Sequence, residues 1–229
     1  MKELEVIGLS GKLKTGKDYI ATHYFQPLGY HNISLAWHFK IWLIGQGKAT
    51  YEQVFETKPP EIRKLLQEEG TERGRNVYGQ NVWVDTTFAW INLYHQSWGL
   101  NKFVIPDVRF RNEVEAIKQR GGKVFRIVAP ERDANSGASP EARAHISETD
   151  LDSYPLIDYD GLIFNNPQHS ETVGMQVRLL LGDSPIVFGT TATDGEEDDE
   201  IRLFEKIGSK LDAVGDELER LGNFFLGRK

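Results

Sequence analysis

Cysteine is absent from all 229 residues. That excludes a disulfide scaffold, a thiolate-held iron–sulfur cluster and a thiolate zinc site, and it fits a reducing cytosol. Also missing is any apolar run long enough to span a bilayer. Lys2 leads straight into the first apolar stretch, so a cytoplasmic chain without a leader is expected. Positive charge is not in excess. With 27 Lys and Arg against 34 Asp and Glu, the net charge of −7 argues against stable nucleic-acid binding, which depends on basic contacts. No repeat of solenoid length occurs. What remains is an ordinary apolar and charged balance in a chain long enough for one α/β core with something left over.

The strongest local signal is Gly11-Lys12-Leu13-Lys14-Thr15-Gly16-Lys17-Asp18, a GxxxxGK pattern followed by Asp. It follows the strand-like run Leu4 to Leu9 and precedes Tyr19 to Phe25, which has helical spacing. Strand, glycine loop and helix together are the context of a phosphate-binding P-loop. Gly11 and Gly16 let the backbone wrap closely so that successive N–H groups, those of Lys12, Lys14 and Thr15 among them, can face a phosphate. Lys17 is the point charge expected to reach the β- and γ-phosphates of ATP. Asp18 replaces the usual Ser or Thr; its carboxylate is a hard-oxygen ligand suited to Mg²⁺, directly or through water.

Further along, Tyr30 to Leu35 is expected to be a second strand, and Ala36 to Ile44, Glu61 to Gly70 and Val82 to Tyr94 to be helices. Strands at Lys102–Asp107, Lys123–Val128 and Gly161–Asn166 alternate with helices at 112–119 and 170–181, which predicts a parallel sheet covered by helices. Ala129 to Glu148, polar and rich in Ser, Gly, Pro and Arg, reads as a mobile lid or loop. The domain built on the glycine loop is expected to span residues 1–182. Residues 183–200 then read as a solvated acidic linker. In 201–229, Phe204, Ile207, Leu211, Val214, Leu218, Leu221 and Phe225 form a coiled-coil seam, beside which Gly208, Gly215 and Gly222 recur. That pattern predicts a homo-oligomer through the C-terminal helix, or an amphipathic helix docked on its own domain.

Two further constellations bear on an acceptor. Asp107-Val108-Arg109-Phe110-Arg111-Asn112-Glu113 sits at the carboxyl end of a predicted central strand, the edge where open parallel sheets bind ligands. Asp107 is placed there to hold Mg²⁺ or to take a proton, and Arg109 and Arg111 to stabilise charge on a transferring phosphoryl group. Arg63 to Arg75 gathers four cations at a helix end, and planar arginines suit a monophosphate.

Taken in order, the GKD loop, L-A-x-x-x-K at Leu35 to Lys40, R-x-L-L-Q-x-x-G-T-E-x-G-R at Arg63 to Arg75, and Trp83 resemble the phage deoxynucleoside monophosphate kinases. The match continues through D-x-R-x-x-x-E at Asp107 to Glu113, H-I-S-E at His145 to Glu148 and I-x-N-N at Ile163 to Asn166. It departs at Trp37-His38, where the family usually has Asp-Pro, and animal-type phosphomevalonate kinases share the GKD loop. The resemblance covers roughly residues 4 to 182. It implies an adenylate-kinase-like P-loop fold that uses ATP and Mg²⁺ and moves the γ-phosphoryl group onto a deoxynucleoside monophosphate. It implies that Lys40, Arg63, Gln67, Gly70, Thr71, Arg75 and Trp83 line the acceptor site. Asp107, Arg109 and Glu113 would lie between the substrates, Arg132 and Arg143 would close from the lid, and His145 would fix the lid. Two alternatives stay open: a kinase of another small acceptor or of a modified base in DNA, and a non-catalytic nucleotide-binding module.

Overall fold

The computed structural model describes residues 3–134 and 140–182. The chain divides into two compact units, Met1–Val173 and Gly174–Lys229. Of the second, the described residues 174–182 hold most of helix α10 (Val173–Leu180) and the turn that closes it. The expected linker 183–200 and helix 201–229 lie outside the described residues.

In the first unit, β1 (Glu5–Ser10), β2 (His31–Asn32), β3 (Lys102–Val108), β4 (Lys123–Val128) and β5 (Gly161–Phe164) form one sheet in the order β2-β3-β1-β4-β5. Every pairing is parallel. The crossovers are helical, as parallel neighbours require. α1 (Lys17–Ile20) continues through a wider turn, Ala21–Phe25, before β2. α2 (Trp37–Gly45), α3 (Pro60–Gln67), α4 (Asn76–Tyr78) and α5 (Val82–Trp98) all fall between β2 and β3, and α6 (Arg111–Gln119) joins β3 to β4.

Alternation along the strands sorts their side chains between two faces. Val6, Phe103, Ile105 and Val124 pack with Val84, Phe88 and Ile91 of α5 and Val114 and Ile117 of α6. On the other face Phe25 meets Phe125, with ring centroids 6.5 Å apart. Each such side chain, fully buried, contributes about 1.5–3 kcal/mol. A second cluster lies in the helical insertion, where Phe39 and Leu43 of α2 pack with Ala49, Val54 and Ile62, and Leu65, Leu66 and Trp83 close around them.

Two expectations need correction. The second strand is only two residues long, because the chain leaves the sheet after Asn32. The amides of Leu35 and Ala36 and the hydroxyl of Ser34 all donate to the Asp107 carboxylate, at 2.9, 3.1 and 2.6 Å. The segment Ala129 to Glu148 is not simply a loop. Pro130 and Pro140 open short helices α7 (Pro130–Ala134) and α8 (Pro140–Ala144), as proline at a first helical position favours, and α9 (Ile146–Thr149) follows.

The helical insertion depends on a close contact in the widened turn Glu68–Arg75 that extends α3. A Cβ on Gly74 would overlap the Trp83 ring, which is pinned by its Nε1 donating to the Gly70 carbonyl at 2.9 Å. Gly74→Ala is therefore expected to lower unfolding free energy by about 1–3 kcal/mol, the usual cost of overpacking. Urea denaturation monitored by tryptophan fluorescence measures it, and an unchanged midpoint would show that the ring can move aside.

Candidate functional site

The glycine loop joins β1 to α1 at the carboxyl edge of the sheet. Gly16 adopts a left-handed φ of 93°, and Lys14 is also left-handed at φ 60°. Gly16 must lack a side chain for a second reason: a Cβ there would lie 2.5 Å from Asn165 Nδ2. Asn165, just past β5, donates that amide to the Thr15 carbonyl at 2.9 Å and so ties the loop to the far strand. Thr15 Oγ1 in turn donates to the Lys12 carbonyl at 2.9 Å.

Lys17 is almost wholly buried, and its Nζ donates to the carbonyls of Gly11 and Lys12, both at 2.7 Å. Burial pulls its pKa down to about 7, and the Arg109 guanidinium adds to that shift, while Glu148 and Asp18 oppose it. A cation held this way lacks a full counter-charge and is poised to receive one. Asp18 is exposed on the first turn of α1, and Lys14 is exposed beside it.

At the end of β3, next to β1, the Asp107 carboxylate holds the entry to α2, as described above. The turn after it is set by Glu113, which is buried in the first turn of α6. One Glu113 oxygen accepts from the backbone N–H groups of Arg109 and Phe110, at 2.7 and 3.0 Å. The other accepts from the Arg75 guanidinium, itself buried. Burial pushes the Glu113 carboxyl up to about 7, against the pull of Arg75 and the two amides. Arg75 also donates to Asn112 Oδ1 at 3.1 Å and lies over the Phe110 ring, 3.7 Å from its centroid. These two expected acceptor residues are thus tied to each other and, through Glu113, to the backbone of Arg109.

The other residues expected on the acceptor side are spread along the helical insertion. Lys40 lies 4.9 Å above the Phe55 ring; burial lowers its pKa, with Asp107 opposing and Lys58 adding to the shift. Trp83 packs on Phe39. Arg63 is exposed, with Nε donating to the Lys58 carbonyl at 2.8 Å, and Gln67 is half-buried. The Thr71 side chain lies outside the described residues. His38 stacks on Trp90 with centroids 6.0 Å apart, and burial lowers its pKa with Asp107 opposing.

Of the expected lid residues, Arg132 donates to the Asn165 carbonyl, and His145 caps α9 by accepting the Ser147 amide at Nδ1, 3.2 Å away. Arg143 is half-buried at the end of α8. Residues to which the sequence reading gave no role also stand here. Glu148 is buried and pairs with Arg109. Arg126, on β4, donates to Ser10 Oγ at 2.9 Å. Ser10, Lys12, Arg109, Arg126, Ser147 and Glu148 together line a small polar pocket beside the loop. The H-I-S-E and I-x-N-N motifs contained Glu148 and Asn165; an arginine interrupting an apolar strand was the available signal for Arg126.

For a magnesium ion the donor set is sparse. Among the described residues no group of three or more Asp, Glu, His or Cys is gathered to cage one. Of the two expected ligands, Asp18 is exposed, and the Asp107 oxygens already accept three hydrogen bonds. Among the described residues no helix is long and apolar enough to cross a membrane.

Removing one partner of a buried ion pair leaves the other uncompensated, at about 3–5 kcal/mol. Glu113→Gln should destabilise the protein by an amount in that range, measured by chemical denaturation. A loss below about 1 kcal/mol would mean that Arg75 finds another counter-charge.

No protein-family model matches the sequence, and no curated protein matches it. Solved structures do match, two of them as follows. One is an unliganded sugar kinase from Janibacter sp., 12% identical, covering 80% of this chain and 96% of its own, with a TM-score of 0.42. The other is a shikimate kinase from Bacteroides thetaiotaomicron, 15% identical, covering 77% of this chain and 98% of its own, with a TM-score of 0.40.

Proposed function

We propose that the protein transfers the γ-phosphoryl group of ATP to a deoxynucleoside monophosphate, giving ADP and the deoxynucleoside diphosphate. The observation that carries this reading is the meeting of Lys17 and Arg109. A buried amine in a glycine loop feels a guanidinium from the neighbouring strand end, burial and that repulsion lower its pKa, and the guanidinium is itself paired with Glu148. The ordered motifs from Leu35 to Asn166 supply the acceptor class.

In this reading the loop amides and Lys17 bind the β- and γ-phosphates, and Arg109 faces the transferring group. An oxygen of the acceptor monophosphate forms the new bond to the γ-phosphorus as the bond to the β,γ-bridging oxygen breaks and ADP leaves with that electron pair. Little covalent work falls to the protein, so the rate comes from positioning and electrostatics. Asp18 and Asp107 are the residues that would hold a Mg²⁺ ion, which would supply charge neutralisation on the phosphates. Arg75 and Glu113 act as positioning residues by fixing the backbone that presents Arg109. Lys40, Trp83 and Arg63 mark the acceptor side.

The test is ADP release from ATP and Mg²⁺ with each of the four common deoxynucleoside monophosphates and with phosphomevalonate. ADP should appear with at least one deoxynucleotide, and Lys17→Ala should cut that turnover roughly a hundredfold or more, as loss of a transition-state donor does. Release with phosphomevalonate alone, with no acceptor, or undiminished in the variant would overturn the assignment.

A further inference from the structure

The cations around the loop are already engaged, and mostly by one segment. Arg109 Nη1 donates to the Glu148 carboxylate. Lys12 Nζ donates to the Glu148 carbonyl at 2.6 Å and to the Asp152 carboxylate. Arg111, two residues after Arg109, donates its backbone N–H to Asp150 Oδ2 at 2.7 Å and lies over the Tyr154 ring. His145 to Tyr154 is thereby stitched to the ends of β1 and β3 by residues from both the loop and the expected phosphate-facing turn. Within the segment, the amides of Glu148, Asp150 and Asp152 donate to the carbonyls of His145, Ile146 and Thr149 at 2.8–2.9 Å, so it moves as a unit if it moves.

A phosphate chain and the Glu148 carboxylate offer the same chemistry, anionic oxygens able to accept from a guanidinium. They cannot share Arg109 cheaply, because two anions at one cation repel each other, and the Glu148 carboxylate is buried there. The burial of Glu148 sharpens the competition: without Arg109 its carboxylate needs either water or a proton.

We propose that Glu148 is an internal stand-in for the nucleotide's phosphate oxygens, a positioning residue that holds Arg109 while the loop is empty and surrenders it when the polyphosphate arrives. Asp152 does the same for Lys12 at the surface. Occupancy of the loop is thereby coupled to release of the His145–Asp152 segment from the sheet edge. The proposal rests on the reading of the loop as a nucleotide polyphosphate site, and it adds a cost that every nucleotide must overcome before Arg109 is free to act.

The experiment uses the full chain and measures ATP and adenosine affinity by calorimetry, with amide hydrogen exchange over residues 146–152 read with and without ATP. Glu148→Gln keeps the shape and removes the charge; Asp152→Asn is a partly exposed substitution that leaves the buried structure alone. Both variants should bind ATP more tightly than the wild type, Glu148→Gln by about tenfold, a moderate coupling factor, while adenosine affinity stays unchanged. In the wild type, ATP should speed exchange in 146–152; in Glu148→Gln those amides should exchange faster beforehand and respond little. Unchanged ATP affinity in both variants would overturn the proposal and leave the nucleotide site standing. Tighter binding without any change in exchange would overturn it too, reducing Glu148 to a simple background charge. If Glu148→Gln does not fold, Asp152→Asn decides by the same two readouts. No ATP binding by the wild type would remove the nucleotide site itself, and the proposal with it.

Discussion

A lysine ammonium can be buried at the end of a parallel sheet only where oxygens are held against it. Here those oxygens are the carbonyls of Gly11 and Lys12, which the loop can turn inward because Gly16 takes a left-handed conformation and Lys14 follows. The arrangement works only if the loop cannot relax, and Asn165 prevents relaxation by bonding the Thr15 carbonyl across the sheet from β5. The strand order matters for the same reason. With β1 central and β3 and β4 on either side of it, the loop, Arg109 and Arg126 are delivered to one edge by three adjacent strands.

Two carboxylates then shape the edge without themselves needing to touch a ligand. Asp107 gathers the start of α2, and Glu113 gathers the turn that carries Arg109, each by accepting backbone amides. Such bonds fix the side chains next to them far more tightly than surface ion pairs would. The helical insertion is held on the same plan, with Arg75 tied to Glu113 and Trp83 tied to Gly70. One stretch of polar chemistry thus links the helical insertion to the loop.

Much of this was legible in the sequence because short-range patterns report it. The apolar runs of β1, β3 and β4 give the strands to within a residue at each end, and GxxxxGK gives the loop. What was illegible depends on contacts between residues far apart in the chain. Nothing near Ile33 says that the strand stops after Asn32, since the cause is a carboxylate 73 residues away from Ser34. Glu113 reads as a residue between substrates, and no local pattern announces its burial against Arg75 or its bonds to the Arg109 and Phe110 amides. The segment after β4 reads as a polar loop because its helices are too short to show a periodicity.

The central claim is that Lys17 stands short of negative charge until phosphates reach it. Burial holds its pKa near 7, so the sign of the linked proton change is fixed. Above pH 7 the free protein carries Lys17 mostly neutral, and bound phosphates raise its pKa, so binding must take up a proton. Titrating ATP into the protein at pH 8 in two buffers of different ionisation enthalpy measures this directly. The account predicts uptake of close to one proton per ATP in the wild type and none in Lys17→Ala. A binding heat independent of buffer in the wild type would contradict it, showing either that Lys17 is already charged or that the phosphates bind elsewhere.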